Sequence, residues 1–103
     1  MTTEQEELLA LIIVRNKNFS NAYQLCKVLA WKFGIINCSE IIQRVEQKRF
    51  VFTTYPESDT LKFFKVTENG EALIQNKKNE LTLVLKNEFG NQIDFIEKLL
   101  LPI

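Results

Sequence analysis

Residues 34–70 read GIINCSEIIQRVEQKRFVFTTYPESDTLKFFKVTENG, and the hydrophobic period changes once within them. Asn37 followed three residues on by Glu40 is a helix-start signature. Beyond it Ile41, Ile42 and Val45 share one side of an ideal helix that runs to about Arg49. After Lys48 the pattern becomes aromatic and β-branched. Phe50-Val51-Phe52-Thr53-Thr54-Tyr55 and Leu61-Lys62-Phe63-Phe64-Lys65-Val66 read as strands. Pro56-Glu57-Ser58-Asp59-Thr60 between them is turn chemistry, so the pair is a hairpin with a five-residue loop.

Outward toward the N-terminus, Gly34 fits the left-handed position after a last helical turn. Ala22, Leu25, Cys26, Val28 and Leu29 supply the buried side of a second helix, from a cap at about Ser20 to Phe33. Two short helices joined by such a turn form a helix-turn-helix. The first helix opens on Thr3, with Glu6 completing a capping box, and ends at Asn16-Lys17-Asn18. Its Leu8, Leu9, Leu11, Ile12 and Ile13 form a wide apolar face that needs cover. Glu4, Glu6 and Glu7 suit the positive end of its dipole, which makes the acidic first turn helix chemistry rather than a binding site.

Outward toward the C-terminus, Thr67 caps a fourth helix through Ala72, Leu73 and Ile74, and Lys77-Lys78-Asn79 reads as a break or bend. Leu81, Leu85, Phe89, Ile93, Ile96 and Leu100 then keep a three-and-four rhythm, divided at Gly90 and stopped at Pro102. So large an apolar stripe predicts a homodimer through these residues, with the alternative that the last helices fold back to finish one monomer core.

Phe64-Lys65-Val66-Thr67-Glu68-Asn69-Gly70 resembles the aromatic-x-aliphatic-Thr-x-x-Gly junction where the second wing strand enters a helix in MarR-like and PadR-like bacterial transcriptional regulators. Glu46-Gln47-Lys48-Arg49-Phe50-Val51 is similar to the end of their recognition helix. Those families usually place Gly where Arg49 stands, so the helix exit must be built differently here. The resemblance covers about residues 4–76. It implies an α+β, mostly helical winged helix-turn-helix: a three-helix core plus β-hairpin wing, with C-terminal helices added. The expected division is a winged-helix domain over residues 1–78 and a C-terminal helical extension over residues 79–103. A winged helix lays its third helix (about 38–49) in the major groove of duplex DNA, while the wing (50–66) reaches phosphates or the minor groove.

Composition narrows the function classes. The 103 residues are 46% apolar and 25% charged, as in ordinary soluble globular chains. The longest apolar run, Leu8–Val14, is far short of the ~20 residues that span a bilayer, and no secretory start is readable, so a cytoplasmic protein is expected. Histidine is absent, which removes the commonest general base and zinc ligand. Three glycines cannot build a phosphate cradle. No enzyme, metal or cofactor is expected. Cys26 and Cys38 read as reduced core thiols, with a regulatory disulfide as the alternative. The abundance of Lys, Asn, Ile and Phe fits an AT-rich bacterial genome.

The net charge of zero hides a pattern. Residues 1–14 carry three acids and no base. Residues 15–66 carry nine bases against four acids, a surplus of five, and residues 67–103 carry four bases against six acids. Local clustering is what phosphate responds to. The outward side of the third helix offers Ser39, Gln43, Arg44 and Gln47 as base contacts, since Gln and Arg make paired hydrogen bonds to adenine and guanine edges. Lys17, Lys27, Lys32, Lys48, Lys62 and Lys65 would meet phosphates and orient the protein. Glu40 and Glu46 on the helix, and Glu57 and Asp59 at the hairpin tip, oppose this. They favour the alternative of a winged-helix module that binds a protein partner without DNA. Phe50, Phe64 and Val66 are expected in the core, one of Phe52 and Phe63 outside it, and Trp31 packed, with a partner or ligand contact as its alternative.

Overall fold

The computed structural model describes residues 1–17, 22–54, 63–88 and 90. Its elements run α1 (Thr3–Lys17), α2 (Ala22–Phe33), α3 (Cys38–Gln47), β1 (Val51–Thr54), β2 (Phe63–Val66) and α4 (Glu68–Glu88). The fold is mostly helical with one small antiparallel sheet, in agreement with the α+β expectation at that level. The expected cap at Ser20, the hairpin loop with Glu57 and Asp59, and Lys62 lie outside the described residues.

α1 is the central element. Every residue from Glu7 to Val14 is buried, because α2, α3, β2 and α4 all pack on it. A helix apolar on every side belongs inside a protein, and α1 obeys that rule. Its cap sits one residue earlier than the sequence suggested. The Thr2 Oγ1 accepts from the Gln5 amide at 3.2 Å and the Gln5 Oε1 accepts from the Thr2 amide at 2.8 Å. That reciprocal pair takes the place of the expected Thr3–Glu6 box.

α2 buries Leu25, Leu29 and Phe33. Gly34 has φ +67°, and its amide donates to the Ala30 carbonyl at 3.1 Å, closing the helix in the left-handed manner expected. α3 buries Cys38, Ile41, Ile42 and Val45. Asn37 precedes it but makes no side-chain cap; its carbonyl instead accepts from the Glu40 and Ile41 amides. A disulfide joins Cys26 to Cys38. The expectation of reduced thiols is thereby corrected: the short turn at residues 34–37 brings the two helices to a Cα–Cα distance of 5.4 Å at these positions, within disulfide reach.

The exit from α3 answers the question raised by Arg49. The Phe50 amide donates to the Val45 carbonyl at 2.9 Å and the Arg49 amide to the Glu46 carbonyl at 3.1 Å, the two bonds of a Schellman motif. Arg49 itself takes φ +60°, the conformation that costs an L-residue ~1–2 kcal/mol and glycine nothing. Glycine loses more entropy on folding, by ~0.5–1 kcal/mol. Arg49→Gly should therefore raise stability by about 0.5–1 kcal/mol in urea unfolding. A loss of stability would show that the arginine side chain contributes more than its backbone costs.

The hairpin pairs Val51 with Val66, Phe52 with Lys65, Thr53 with Phe64 and Thr54 with Phe63. Val51 is buried and Phe64 and Val66 pack against the core, as does Phe50. Phe52 and Lys65 are cross-strand partners on the outer face, both exposed. The sheet is fastened to α4 through Thr67. Its amide donates to the Phe50 carbonyl at 3.0 Å, its hydroxyl donates to the Arg49 carbonyl at 2.7 Å, and the same oxygen accepts from the Gly70 amide at 3.2 Å. Gly70 is buried at this joint, where a Cβ would stand 2.5 Å from the Phe50 carbonyl oxygen and 2.6 Å from Val66 Cγ1. Gly70→Ala should cost about 1–3 kcal/mol, because backbone must move to admit the methyl. Unchanged denaturant stability would show that the joint is looser than this geometry.

α4 runs unbroken through Lys77-Lys78-Asn79, so the expected break is absent and the 78/79 boundary falls inside a helix. Ile74, Leu81 and Leu85, seven and four residues apart, are all buried, and that stripe carries the helix across a triad of which two members are good helix formers. α1 and α4 lie antiparallel. The Met1 ammonium is 3.0 Å from Glu88 Oε1 and Arg15 Nε is 2.9 Å from Glu71 Oε1. Leu81 and Leu85 thus complete the core of one chain, and their place in a dimer face is withdrawn. Phe89, Ile93, Ile96 and Leu100 lie outside the described residues.

Candidate functional site

α3 separates two sets of side chains by its period. Ile41, Ile42 and Val45 point into the core, as expected, while Ser39, Glu40, Gln43 and Gln47 are exposed. Three of the four expected base contacts (Ser39, Gln43 and Gln47) therefore share an accessible polar face. The fourth does not join them. Arg44 is partly buried, and its Nε and Nη2, the edge that would grip a guanine, are buried without a hydrogen bond.

The cause is Glu7. Its side chain sits beneath α3 with the residue 1% exposed. Arg44 Nε lies 3.9 Å from Glu7 Oε1, and Lys48 Nζ lies 2.8 Å from the same oxygen. The same Lys48 ammonium lies 3.2 Å from Oε2, so it straddles both oxygens of the carboxylate. A lone buried carboxylate would be costly, and two cations, Arg44 of α3 and Lys48 at its C-terminal cap, offset that cost. Glu40 approaches the outer side of Arg44 at 4.0 Å. Glu7 is thus not simply a first-turn acid serving the dipole; it draws inward two of the cations expected to face DNA. The burial of Glu7, though not its partners, is legible in the sequence: it lies four and seven residues before Leu11 and Val14, on a buried stripe of α1.

The remaining expected phosphate contacts are spread out. Lys27 and Lys32 are exposed on α2, and Lys65 on the hairpin. Lys48 keeps 47% of its side chain exposed while holding Glu7. The Lys17 side chain and all of Lys62 lie outside what the structure describes.

Trp31 is exposed, contrary to the expectation that it packs: its relative exposure is 74%, with Lys27 Nζ 4.5 Å above its ring. Such a contact stabilises by ~0.5–1 kcal/mol at an exposed site. Tyr23 is exposed on the same stripe, and Ile36 is exposed in the turn that follows α2. The wheel explains the outcome. Tyr23, Lys27 and Trp31 each precede Leu25, Leu29 and Phe33 by two residues, which places them on the opposite side of α2.

Among the described residues no group of three or more His, Cys, Asp or Glu could hold a metal ion, and no helix is long and apolar enough to cross a membrane. Compared with family models, with curated proteins and with solved structures, the chain matches none of them.

Proposed function

We propose that this chain is a winged helix-turn-helix protein of the cell interior that binds double-stranded DNA and regulates transcription. In this reading α3 is the recognition helix, β1 and β2 are the base of the wing, and no catalysis is involved. The observation that carries it is the division of α3. One side is anchored by buried aliphatic residues, and the other presents Ser39, Gln43 and Gln47 with no apolar residue among them. Base edges are read by Gln43 and Gln47, with Ser39 beside them. Lys27, Lys32 and Lys65 supply phosphate contacts, and Arg44 and Lys48 join them only if they leave Glu7. With Leu81 and Leu85 committed to the core, pairing of two chains falls to Phe89, Ile93, Ile96 and Leu100. A two-fold pair would set its recognition helices ~34 Å apart.

The test is selection from a random-sequence duplex pool on the purified chain. Enrichment of a common motif is the expected result, and after several rounds an unenriched pool would contradict the proposal.

A second reading is a winged-helix module that binds a protein. It is favoured by the withdrawal of Arg44 and Lys48 onto Glu7 and by the exposed Tyr23 and Trp31 on α2. It predicts that Trp31→Ala abolishes partner binding while changes at Gln43 and Gln47 leave it intact.

A further inference from the structure

Between the start of α1, the turn from α3 to β1 and the middle of α4 lies an open cavity of about 460 Å³. That is within the ~300–1,000 Å³ typical of small-molecule sites. We propose that this cavity binds a small organic ammonium ion with an apolar body, and that Glu7 is its counter-ion.

The lining fits that class of ligand. Leu8, Phe50, Leu73 and Leu81 give apolar walls, against which a hydrocarbon or aryl body gains by leaving water. The charged lining groups are Glu4, Glu7 and Glu80 against Lys48 and Lys77, a surplus of one negative charge. Lys77 lies 3.8 Å from Glu80. The decisive group is Glu7, 1% exposed, whose Oε1 already meets one ammonium, that of Lys48, at 2.8 Å. An ammonium N–H donates to that oxygen, and a charge-assisted bond shielded from water is a strong one. An anionic ligand would instead face three carboxylates. Lys48 now covers Glu7 but is half exposed, and its long stem lets the ammonium swing into solvent when a ligand takes its place.

Occupancy has a consequence for α3. Lys48 and Arg44 both rest on Glu7, so a cation bound there competes with them and frees Lys48 to face outward. That step rests on the DNA reading, on which the ligand would strengthen phosphate contact; the binding itself does not.

The experiment is a titration of the intact chain, without DNA, with 2-phenylethylammonium at neutral pH, followed by the methyl NMR signals of Leu8, Leu73 and Leu81. We expect saturable shifts with a dissociation constant at or below about 1 mM, the range open to a ligand of that size. Glu7→Gln should weaken binding about ten- to a hundredfold through loss of the charged acceptor. Leu73→Trp, which fills the cavity and leaves the charges in place, should abolish it. 3-Phenylpropionate, equal in shape and opposite in charge, should not bind. The proposal is overturned by any of four results: no saturation at about 10 mM ammonium, equal binding of the carboxylate, undiminished binding by a folded Glu7→Gln chain, or undiminished binding by a folded Leu73→Trp chain. Should Glu7→Gln fail to fold, the Leu73→Trp and 3-phenylpropionate arms decide the matter. Because DNA is absent, loss of the DNA reading leaves this outcome unaffected.

Discussion

Leu85→Ala is expected to lower the unfolding free energy by about 2–5 kcal/mol, the cost of deleting a fully buried leucine from a core that cannot close over the gap. Leu85 is 0% exposed within a single chain. It belongs to the α4 stripe that packs along α1, in register with the ion pairs at Met1–Glu88 and Arg15–Glu71. The effect should appear in urea unfolding as a lower midpoint with little change in slope. It should also be independent of protein concentration, because the cavity opens inside one chain. A stability loss that vanishes on dilution, or a change of oligomeric state with no loss of monomer stability, would return Leu85 to an intermolecular face.

The second large effect concerns the Cys26–Cys38 disulfide. The cross-link closes a loop across a sequence separation of 12 residues. On the chain-entropy account such a loop stabilises the folded state by about 3 kcal/mol. Reduction, or Cys26→Ser with Cys38→Ser, should therefore lower the melting temperature by about 12–24 °C for a chain of this length. The loss has a specific address, since the bridge ties the first residue of α3 to α2. Amide hydrogen exchange should quicken first in residues 34–42, where the turn depends on it, and least in the α1–α4 pair. Thermal unfolding that is the same with and without reductant would show that the bridge contributes nothing to stability.

How much of this was legible in the sequence depended on whether a local signal met a competing long-range one. Gly34 and Thr67 declared themselves because turn and cap chemistry are local: the first needs a positive φ, the second a hydroxyl three residues before an amide. Ile41, Ile42 and Val45 followed from period alone. The continuity of α4 across Lys77-Lys78-Asn79 is not legible from that triad alone, because it depends on the buried stripe on either side, Ile74 before it and Leu81 and Leu85 after it. The first cap moved from Thr3 to Thr2, since a Gln at the third helical position serves as well as a Glu, and both spacings were present. The cysteine pairing was a long-range fact that spacing alone left open. At the candidate site the polar face of α3 was readable from the wheel, whereas the turning inward of Arg44 and Lys48 was not. It requires knowing that a carboxylate more than thirty residues away in the chain lies buried beneath them. The exposure of Trp31 is legible in the sequence: its position opposite Leu29 and Phe33 outweighs the general tendency of tryptophan to pack.

The central claim is that α3 reads duplex DNA, and fluorescence anisotropy tests it most directly. The wild-type chain and the Gln43→Ala/Gln47→Ala double variant would be titrated onto the duplex enriched by selection and onto a random duplex, from about 50 to 200 mM salt. Wild type should prefer the enriched duplex, with affinity falling steeply as salt rises through counterion release. The double variant should lose that preference, by about 1–3 kcal/mol per lost base contact, and retain the salt-dependent part. Absence of binding by the wild type at the lowest salt, or an undiminished preference in the double variant, would contradict the claim.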